Sequence, residues 1–117
     1  PILLSLAINF SETFYEKTGK TTKVVNLPWL NQVNVEWLLK AIGQCELLIT
    51  IDNHYYEGGQ GQRIKSILSE HNMCRNTHII SFAIETIPEC GSNDEVLTAH
   101  GFTTEAILKE IKKNTNQ

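Results

Sequence analysis

The sequence predicts a single α/β domain, residues 1–117, in which helices cover both faces of a mostly parallel sheet. Short apolar runs rich in β-branched residues alternate with segments of helical periodicity, a pattern typical of parallel strands joined by helices. Turn residues separate these segments, and there is no repeat or low-complexity stretch. The length of 117 residues and the hydrophobic content of 41% suit one ordinary globular domain.

Charge and composition exclude several classes of function. The net charge of −3 offers no basic surface for nucleic acid or for an anionic membrane. No apolar run approaches the roughly 20 residues of a membrane-spanning helix. The three cysteines are widely spaced and odd in number, which is typical of a reducing compartment, so we expect a cytoplasmic protein.

The first predicted element is a helix over Ile2–Lys17, with a strand over Ile2–Leu6 as the alternative. Gly19 follows the last periodic residue, as a helix-ending glycine does. The apolar residues at helical spacing are Leu3, Ala7, Phe10 and Phe14. A helix in this position would start the chain in the middle of an α/β unit, so we expect a strand upstream and a longer parent protein.

A strand and a short helix are predicted next. Lys23–Leu27 reads as a strand that Pro28 ends, because proline cannot extend the hydrogen-bond ladder. Asn34 can cap a helix over Val35–Ile42, and Gly43 can end it. The expected apolar face of this helix consists of Trp37, Leu38 and Ile42.

The most informative stretch lies at the centre of the chain. A buried strand is predicted over Glu46–Ile51, and the polar residues Asp52, Asn53 and His54 are expected to end it. A glycine-rich loop then leads into a helix over about Gln62–His71. Since ligands and partners tend to bind at the carboxyl ends of parallel strands, this junction is the predicted functional edge.

The C-terminal third continues the alternation. Thr77–Phe82 is a predicted strand, and Ile84–Gly91 is expected to be irregular. Ser92–Glu95 has the form of a capping box for a short helix that Gly101 ends.

The last helix should begin at Thr103 or Thr104 and direct three apolar residues inward, namely Ile107, Leu108 and Ile111. We expect Asn114–Gln117 to be a frayed tail.

Eight residues at the central junction form the candidate interface or anion site: Asp52, His54, Tyr55, Tyr56, Glu57, Gly58, Gly59 and Gly61. An anion could bind the free N–H groups of the following helix. The simpler explanation is that the glycines permit a tight turn and close packing. A Gly59→Val substitution should then destabilise the domain by roughly 1–3 kcal/mol if Gly59 has a positive φ or packs closely. A P-loop is excluded because Gln62 and Arg63 follow the last glycine in place of lysine and serine or threonine.

Catalytic and metal-binding patterns are weak. His54 could pair with Asp52 or Glu57 for proton transfer, but no nucleophile lies nearby in sequence, so an interface or structural role is favoured. His71, Cys74 and His78 lack the fourth ligand that zinc requires, and no base accompanies Cys90; we therefore predict no metal site and no reactive thiol.

As a set, the aromatic residues Trp29, Trp37, Tyr55, Tyr56 and Phe102 suit an interface, although core burial explains Trp37 equally well.

The order of motifs resembles the C-terminal domain of the transketolase family. The family has a V-V-N-L-P strand, a T-V-E-D-H … G-G-L-G segment and a closing G-S … E-L-L … H-G-L-T-x-E-x-I element. The matching residues here are Val24–Trp29, Thr50–His54, Gly58–Gly61, Glu89–Ser92, Glu95–Leu97 and His100–Ile107. This chain departs from the pattern at three positions. Asp52 stands where the family usually has glutamate, Asn53 where it often has aspartate, and Gln60 where it has an apolar residue.

The resemblance implies a three-layer α/β/α domain with a mixed, mostly parallel sheet. In the family, two upstream domains bind thiamine diphosphate and a divalent metal such as Mg²⁺, holding the cofactor by its pyrimidine and pyrophosphate. None of those binding motifs occurs here, so the resemblance implies a segment that is not catalytic alone. It would pack against the pyrimidine-binding domain and help to form a homodimer. Short motifs favour transketolase-like and deoxyxylulose-phosphate synthase-like members.

Two other functions stay open at this point. One is a regulatory module that binds an anion or a phosphorylated metabolite at the Gly58–Gly61 helix N-terminus. The other is a small independent enzyme that uses His54 or Cys90, and it is the least favoured.

Overall fold

The computed structural model describes residues 2–27, 34–72, 77–84, 98 and 101–115. The regular elements, in chain order, are α1 (Ile2–Thr18), α2 (Val35–Ile42), β1 (Leu47–Tyr55), α3 (Gln60–Glu70), β2 (His78–Ile84) and α4 (Thr104–Thr115). The chain divides into two compact units. The terminal unit comprises Pro1–Asn26 and Thr86–Gln117, and the central unit comprises Leu27–Glu85.

Helix α1 of the terminal unit confirms the predicted helix and extends it by one residue. Phe10 is buried and stacks on Phe14 one turn later, with ring centroids 5.4 Å apart. Gly19 ends the helix with a φ of +74°, and its N–H donates to the Tyr15 carbonyl at 2.7 Å. The alternative of a strand over Ile2–Leu6 is wrong.

Helix α4 packs against α1 within the terminal unit. Its start is confirmed, because the Thr103 hydroxyl accepts the Ala106 N–H at 3.2 Å and thereby caps the helix. Ile107 and Ile111 are buried and Leu108 is half-buried, as predicted. The predicted frayed tail Asn114–Gln117 is wrong for its first two residues, which belong to the helix. The Asn114 side-chain amide donates to the Glu110 carbonyl at 2.7 Å, and the helix continues to Thr115.

Helix α2 of the central unit has the predicted bounds. The Asn34 side-chain oxygen accepts the Trp37 N–H at 2.9 Å, and the N–H of Gly43 (φ +59°) donates to the Leu39 carbonyl. The predicted apolar face is wrong at Trp37, which is 48% exposed, whereas Leu38 is buried. Successive helical residues lie about 100° apart, and the neighbour of Leu38 that packs against the core is Leu39, on the side away from Trp37.

The segment before α2 departs from the prediction. Residues 19–27 have no regular secondary structure, and Val25 is 41% exposed, so the predicted strand over Lys23–Leu27 is wrong. An apolar run forms a strand only when a neighbouring strand accepts its backbone hydrogen bonds. Among the described residues, only β1 and β2 pair in a sheet. Pro28 and Trp29 lie outside the described residues.

Strands β1 and β2 pair in parallel, as predicted. Leu47 is opposite His78, and the register holds as far as Ile51 opposite Phe82. An irregularity follows before Tyr55 pairs with Ile84. The polar residues after Ile51 therefore do not end β1, because the strand continues through the irregularity to Tyr55.

Both strands and α3 differ from their predicted bounds by one to four residues. Helix α3 begins at Gln60 rather than Gln62 and ends before His71, whose N–H donates to the Ile67 carbonyl at 3.2 Å. Strand β2 begins one residue late, at His78, and continues to Ile84, which was predicted to be irregular.

The core of the central unit lies between the sheet and its helices. Its buried residues are Leu38 of α2 and Ile64, Ile67 and Leu68 of α3. Leu48 of β1 and Ile79 of β2 pack against this cluster from the sheet, and Leu27 packs against it before α2.

Two further predictions fall on the region before α4. The N–H of Gly101, which has a φ of +77°, donates to the Thr98 carbonyl at 3.1 Å, as in a helix-ending turn. The capping box Ser92–Glu95 and most of the irregular segment lie outside the described residues. In the part of the chain that is described, none of the helices has both the length and the apolar character that crossing a membrane requires.

Candidate functional site

One face of the sheet changes from apolar to polar along the strands. Leu48, Thr50 and Asp52 are two residues apart in β1, so strand geometry turns them to the same side. Leu48 packs against the buried core of the central unit. Thr50 and Asp52 both lie beside Gly61, in the first turn of α3. The predicted functional edge therefore lies where the polar end of β1 meets the first turn of α3.

The Asp52 carboxylate closes the N-terminus of α3. Its two oxygens accept the backbone N–H groups of Gln60 at 3.2 Å and Gly61 at 2.9 Å. Asp52 is only 9% exposed, so these hydrogen bonds form in a largely desolvated place. A carboxylate there satisfies orphan donors of the first turn and complements the positive end of the helix dipole.

A hydroxyl pair lies directly beneath the first turn of α3. The Thr50 hydroxyl donates to Ser81 Oγ at 2.9 Å, across the two paired strands. A Cβ on Gly61 would lie 2.6 Å from Thr50 Oγ1 and 3.0 Å from Ser81 Oγ. Glycine at this position therefore permits the helix to approach the sheet closely.

Gly59 is required for space rather than for an unusual backbone conformation. Its φ is −89° and its ψ −179°, so the possibility of a positive φ is wrong. A Cβ there would lie 2.7 Å from the Tyr55 carbonyl oxygen and 3.3 Å from Asp52 Oδ2. The possibility of close packing is correct, because the atom in the way belongs to the backbone of β1.

Gly58 has the opposite requirement. Its φ is +76°, a region that favours glycine, and a Cβ there would meet no atom within 4 Å. The N–H of Gly58 donates to the Gln62 side-chain oxygen at 2.7 Å, which ties the turn to the first turn of α3. The loop is therefore closed by two side-chain acceptors, Asp52 and Gln62.

The remaining candidate residues lie around this closed loop. Tyr55 is 47% exposed at the end of β1, and Glu57 is exposed in the turn. Tyr56 is half-buried, with the Lys65 ammonium 5.4 Å from its ring centroid. His54 belongs to β1, but its side chain lies outside the described residues.

This geometry bears directly on the anion hypothesis. A bound anion would need free N–H groups at the N-terminus of α3. The N–H groups of Gln60 and Gly61 already donate to Asp52, and that of Gly58 donates to Gln62. The chain thus supplies its own anion, and an external one would compete with a buried carboxylate.

Two of the weaker candidates, His71 and His78, are described, and both are exposed. His71 Nδ1 lies 2.9 Å from the Ile67 carbonyl oxygen, at the end of α3. Cys74 and Cys90 lie outside the described residues. The described residues contain no group of three or more His, Cys, Asp or Glu side chains that could hold a metal ion.

The aromatic residues do not behave as one set. Phe102 is 3% exposed, so it is a buried apolar residue and does not fit the predicted aromatic interface. Trp37 and Tyr55 are both about half-exposed in the central unit.

The predicted set also omitted Thr50 and Ser81. The signal that could have found them is their polarity within otherwise apolar strands.

Comparison with known proteins identifies the family. Residues 2–107 match the family described as "Transketolase, C-terminal domain". This chain belongs to the transketolase C-terminal domain family. The match covers most of the chain, and the parallel strands and packed helices agree with an α/β domain of that family.

This transketolase-family domain is similar to parts of several longer proteins. It is 27% identical to 1-deoxy-D-xylulose-5-phosphate synthase of Clostridium tetani over 111 residues, which cover 95% of this chain and 18% of that protein. It is 29% identical to human transketolase over 65 residues, covering 56% of this chain and 10% of that protein. It is also 24% identical to transketolase-like protein 1 of Macaca fascicularis over 91 residues, which cover 77% of this chain and 15% of that protein. The chain thus spans less than a fifth of the length of these relatives.

Proposed function

We propose that this chain is the C-terminal structural domain of a thiamine-diphosphate-dependent transketolase-like enzyme that transfers ketol or aldehyde groups in carbohydrate metabolism. The observation that carries the proposal is the family match over residues 2–107. Relatives named as transketolase and as a deoxyxylulose-phosphate synthase support it, because the chain aligns to only a small part of each. The catalytic work then belongs to other domains.

The central site supports a structural role. The Asp52 carboxylate and the closely packed Gly59 and Gly61 join β1 to α3, and the Thr50–Ser81 hydroxyl pair joins β1 to β2 beneath that junction. Their polar atoms are directed at one another and at the first turn of the helix. Such an arrangement holds a strand–helix junction rigid and leaves few groups free to bind or transform a substrate.

The described residues do not fit a site for the cofactor. The helix N-terminus that could hold a pyrophosphate is already occupied by Asp52, and no described carboxylate cluster could hold Mg²⁺. When bound in the parent enzyme, thiamine diphosphate supplies the carbanion chemistry. In this proposal, pyrimidine- and pyrophosphate-binding domains, on the same chain or on a partner subunit, hold the cofactor and the metal.

We also propose that the central unit contacts the pyrimidine-binding domain and supports a cytoplasmic homodimer. Tyr55 and Trp37 support this, at 47% and 48% exposed, since amphipathic aromatic residues are enriched at interfaces. Sedimentation velocity of the native gene product carrying Tyr55→Ser or Trp37→Ser should show weaker assembly. Val25→Ser is the control, because Val25 is similarly exposed, at 41%, but has no aromatic ring. Unchanged assembly in both aromatic variants would contradict a role for these residues in the homodimer.

The size of the native gene product tests the structural-domain proposal. An immunoblot of source cells with an antibody to this segment should detect a polypeptide several times larger than 13.2 kDa. A band near the size of the isolated chain would instead indicate a separate subunit. In that case, affinity purification should recover a partner that binds thiamine diphosphate, and failure to recover one would overturn the proposal.

An activity assay tests the catalytic part of the proposal. The purified 117-residue chain, with its helical content confirmed by circular dichroism, should show no ketol transfer with thiamine diphosphate and Mg²⁺. Turnover by this chain would contradict the assignment of catalysis to other domains. Loss of such turnover in His54→Ala or Cys90→Ala would point to the small-enzyme alternative.

A further inference from the structure

We draw no further inference here: the strongest candidate, the exposed apolar stripe that Ile8 and Tyr15 form along one face of α1, supports no proposal because nothing in the structure shows what covers it.

Discussion

Helices α2 and α3 begin in contrasting ways. The Asn34 side chain caps α2 from just outside its first turn, accepting the Trp37 N–H three residues later in an exposed place. The start of α3 is capped by Asp52, which lies eight and nine residues before the two N–H groups it accepts and belongs to a strand. Gly59 occupies the usual capping position of α3, but glycine has no side chain with which to cap the helix.

This difference shows what each cap can stabilise. Asn34 needs only its own turn to form, so its contribution is local to α2. Asp52 reaches the first turn of α3 only when β1 and α3 are packed together and the loop between them is closed. Its hydrogen bonds therefore link helix formation to tertiary packing. Substitutions around α3 should weaken the whole central unit, whereas those at the start of α2 should have a smaller, local effect.

Gly59→Val should have the largest effect, a loss of about 3 kcal/mol in the free energy of unfolding. The new Cβ would lie 2.7 Å from the Tyr55 carbonyl oxygen, and that backbone atom cannot move without disturbing β1. Urea denaturation followed by circular dichroism measures the change. The control is Gly58→Ala in the same loop, where φ is +76° and a Cβ would meet no atom within 4 Å. It should cost only about 1 kcal/mol for the positive φ. Equal losses at the two sites would show that close packing of Gly59 is unimportant.

Gly61→Ala should cost about 2 kcal/mol, because its Cβ would lie 2.6 Å from Thr50 Oγ1 and would disrupt the hydroxyl pair. The obstructing atom belongs to a side chain, which can yield more readily than backbone. The same substitution in a Thr50→Ala background should therefore cost less. A double-mutant cycle by urea denaturation measures this coupling, and strictly additive losses would argue against the contact.

Asp52→Asn should destabilise the central unit by about 1–2 kcal/mol, because it removes the charge that faces the helix N-terminus and replaces one acceptor oxygen with a donor. Hydrogen exchange should show the loss of protection first at the Gln60 and Gly61 amides. Glu57→Gln makes the same charge change at an exposed site in the same loop and should stay within about 0.5 kcal/mol of the parent. Similar behaviour of the two variants would mean that the buried cap contributes little.

Asn34→Ala should cost about 1 kcal/mol, the usual consequence of losing an N-terminal capping side chain. Faster hydrogen exchange should be confined to the first turn of α2. Asn34→Asp keeps the acceptor oxygen and should change stability by less than about 0.5 kcal/mol. If Asn34→Ala also exposed the α3 amides, the contrast between a local and a tertiary cap would fail.

The smallest expected effect comes from phosphate. Titration of the chain with inorganic phosphate, followed by NMR, should leave the Gln60 and Gly61 amide signals unshifted because Asp52 already accepts both N–H groups. Saturable shifts at these two amides would instead favour the anion-binding alternative. Glu36 and Trp37, in the first turn of α2, provide reference amides for non-specific effects of the salt.

Local signals predicted much of the fold. Apolar spacing and terminal glycines located α1, while Asn34 and Gly43 defined both ends of α2. These features act within one turn of chain, so their meaning does not depend on the rest of the molecule. The candidate site was located as a glycine loop after a strand, and its loop glycines are indeed constrained, Gly58 by its φ and Gly59 by contact.

Predictions that depended on distant partners were less accurate. The apolar run Lys23–Leu27 looks like a strand, but residues 19–27 are irregular. Asp52 was expected to end β1, yet it lies inside the strand because its charge is accommodated by the N-terminus of α3. The sequence contains the carboxylate and the donors, but their hydrogen bonds require a particular path of the intervening loop.

By itself, the sequence determined the α/β class, the helix ends with local caps, the position of the glycine loop and the family resemblance. All of these follow from spacing and from residue-specific backbone preferences. Only the tertiary structure decided that Asp52 occupies the helix N-terminus, that Gly59 is needed for space, and that Thr50 and Ser81 meet beneath Gly61. The physical reason is that close packing and desolvated hydrogen bonds join atoms far apart in the chain, so their partners are chosen by the three-dimensional approach of β1, β2 and α3.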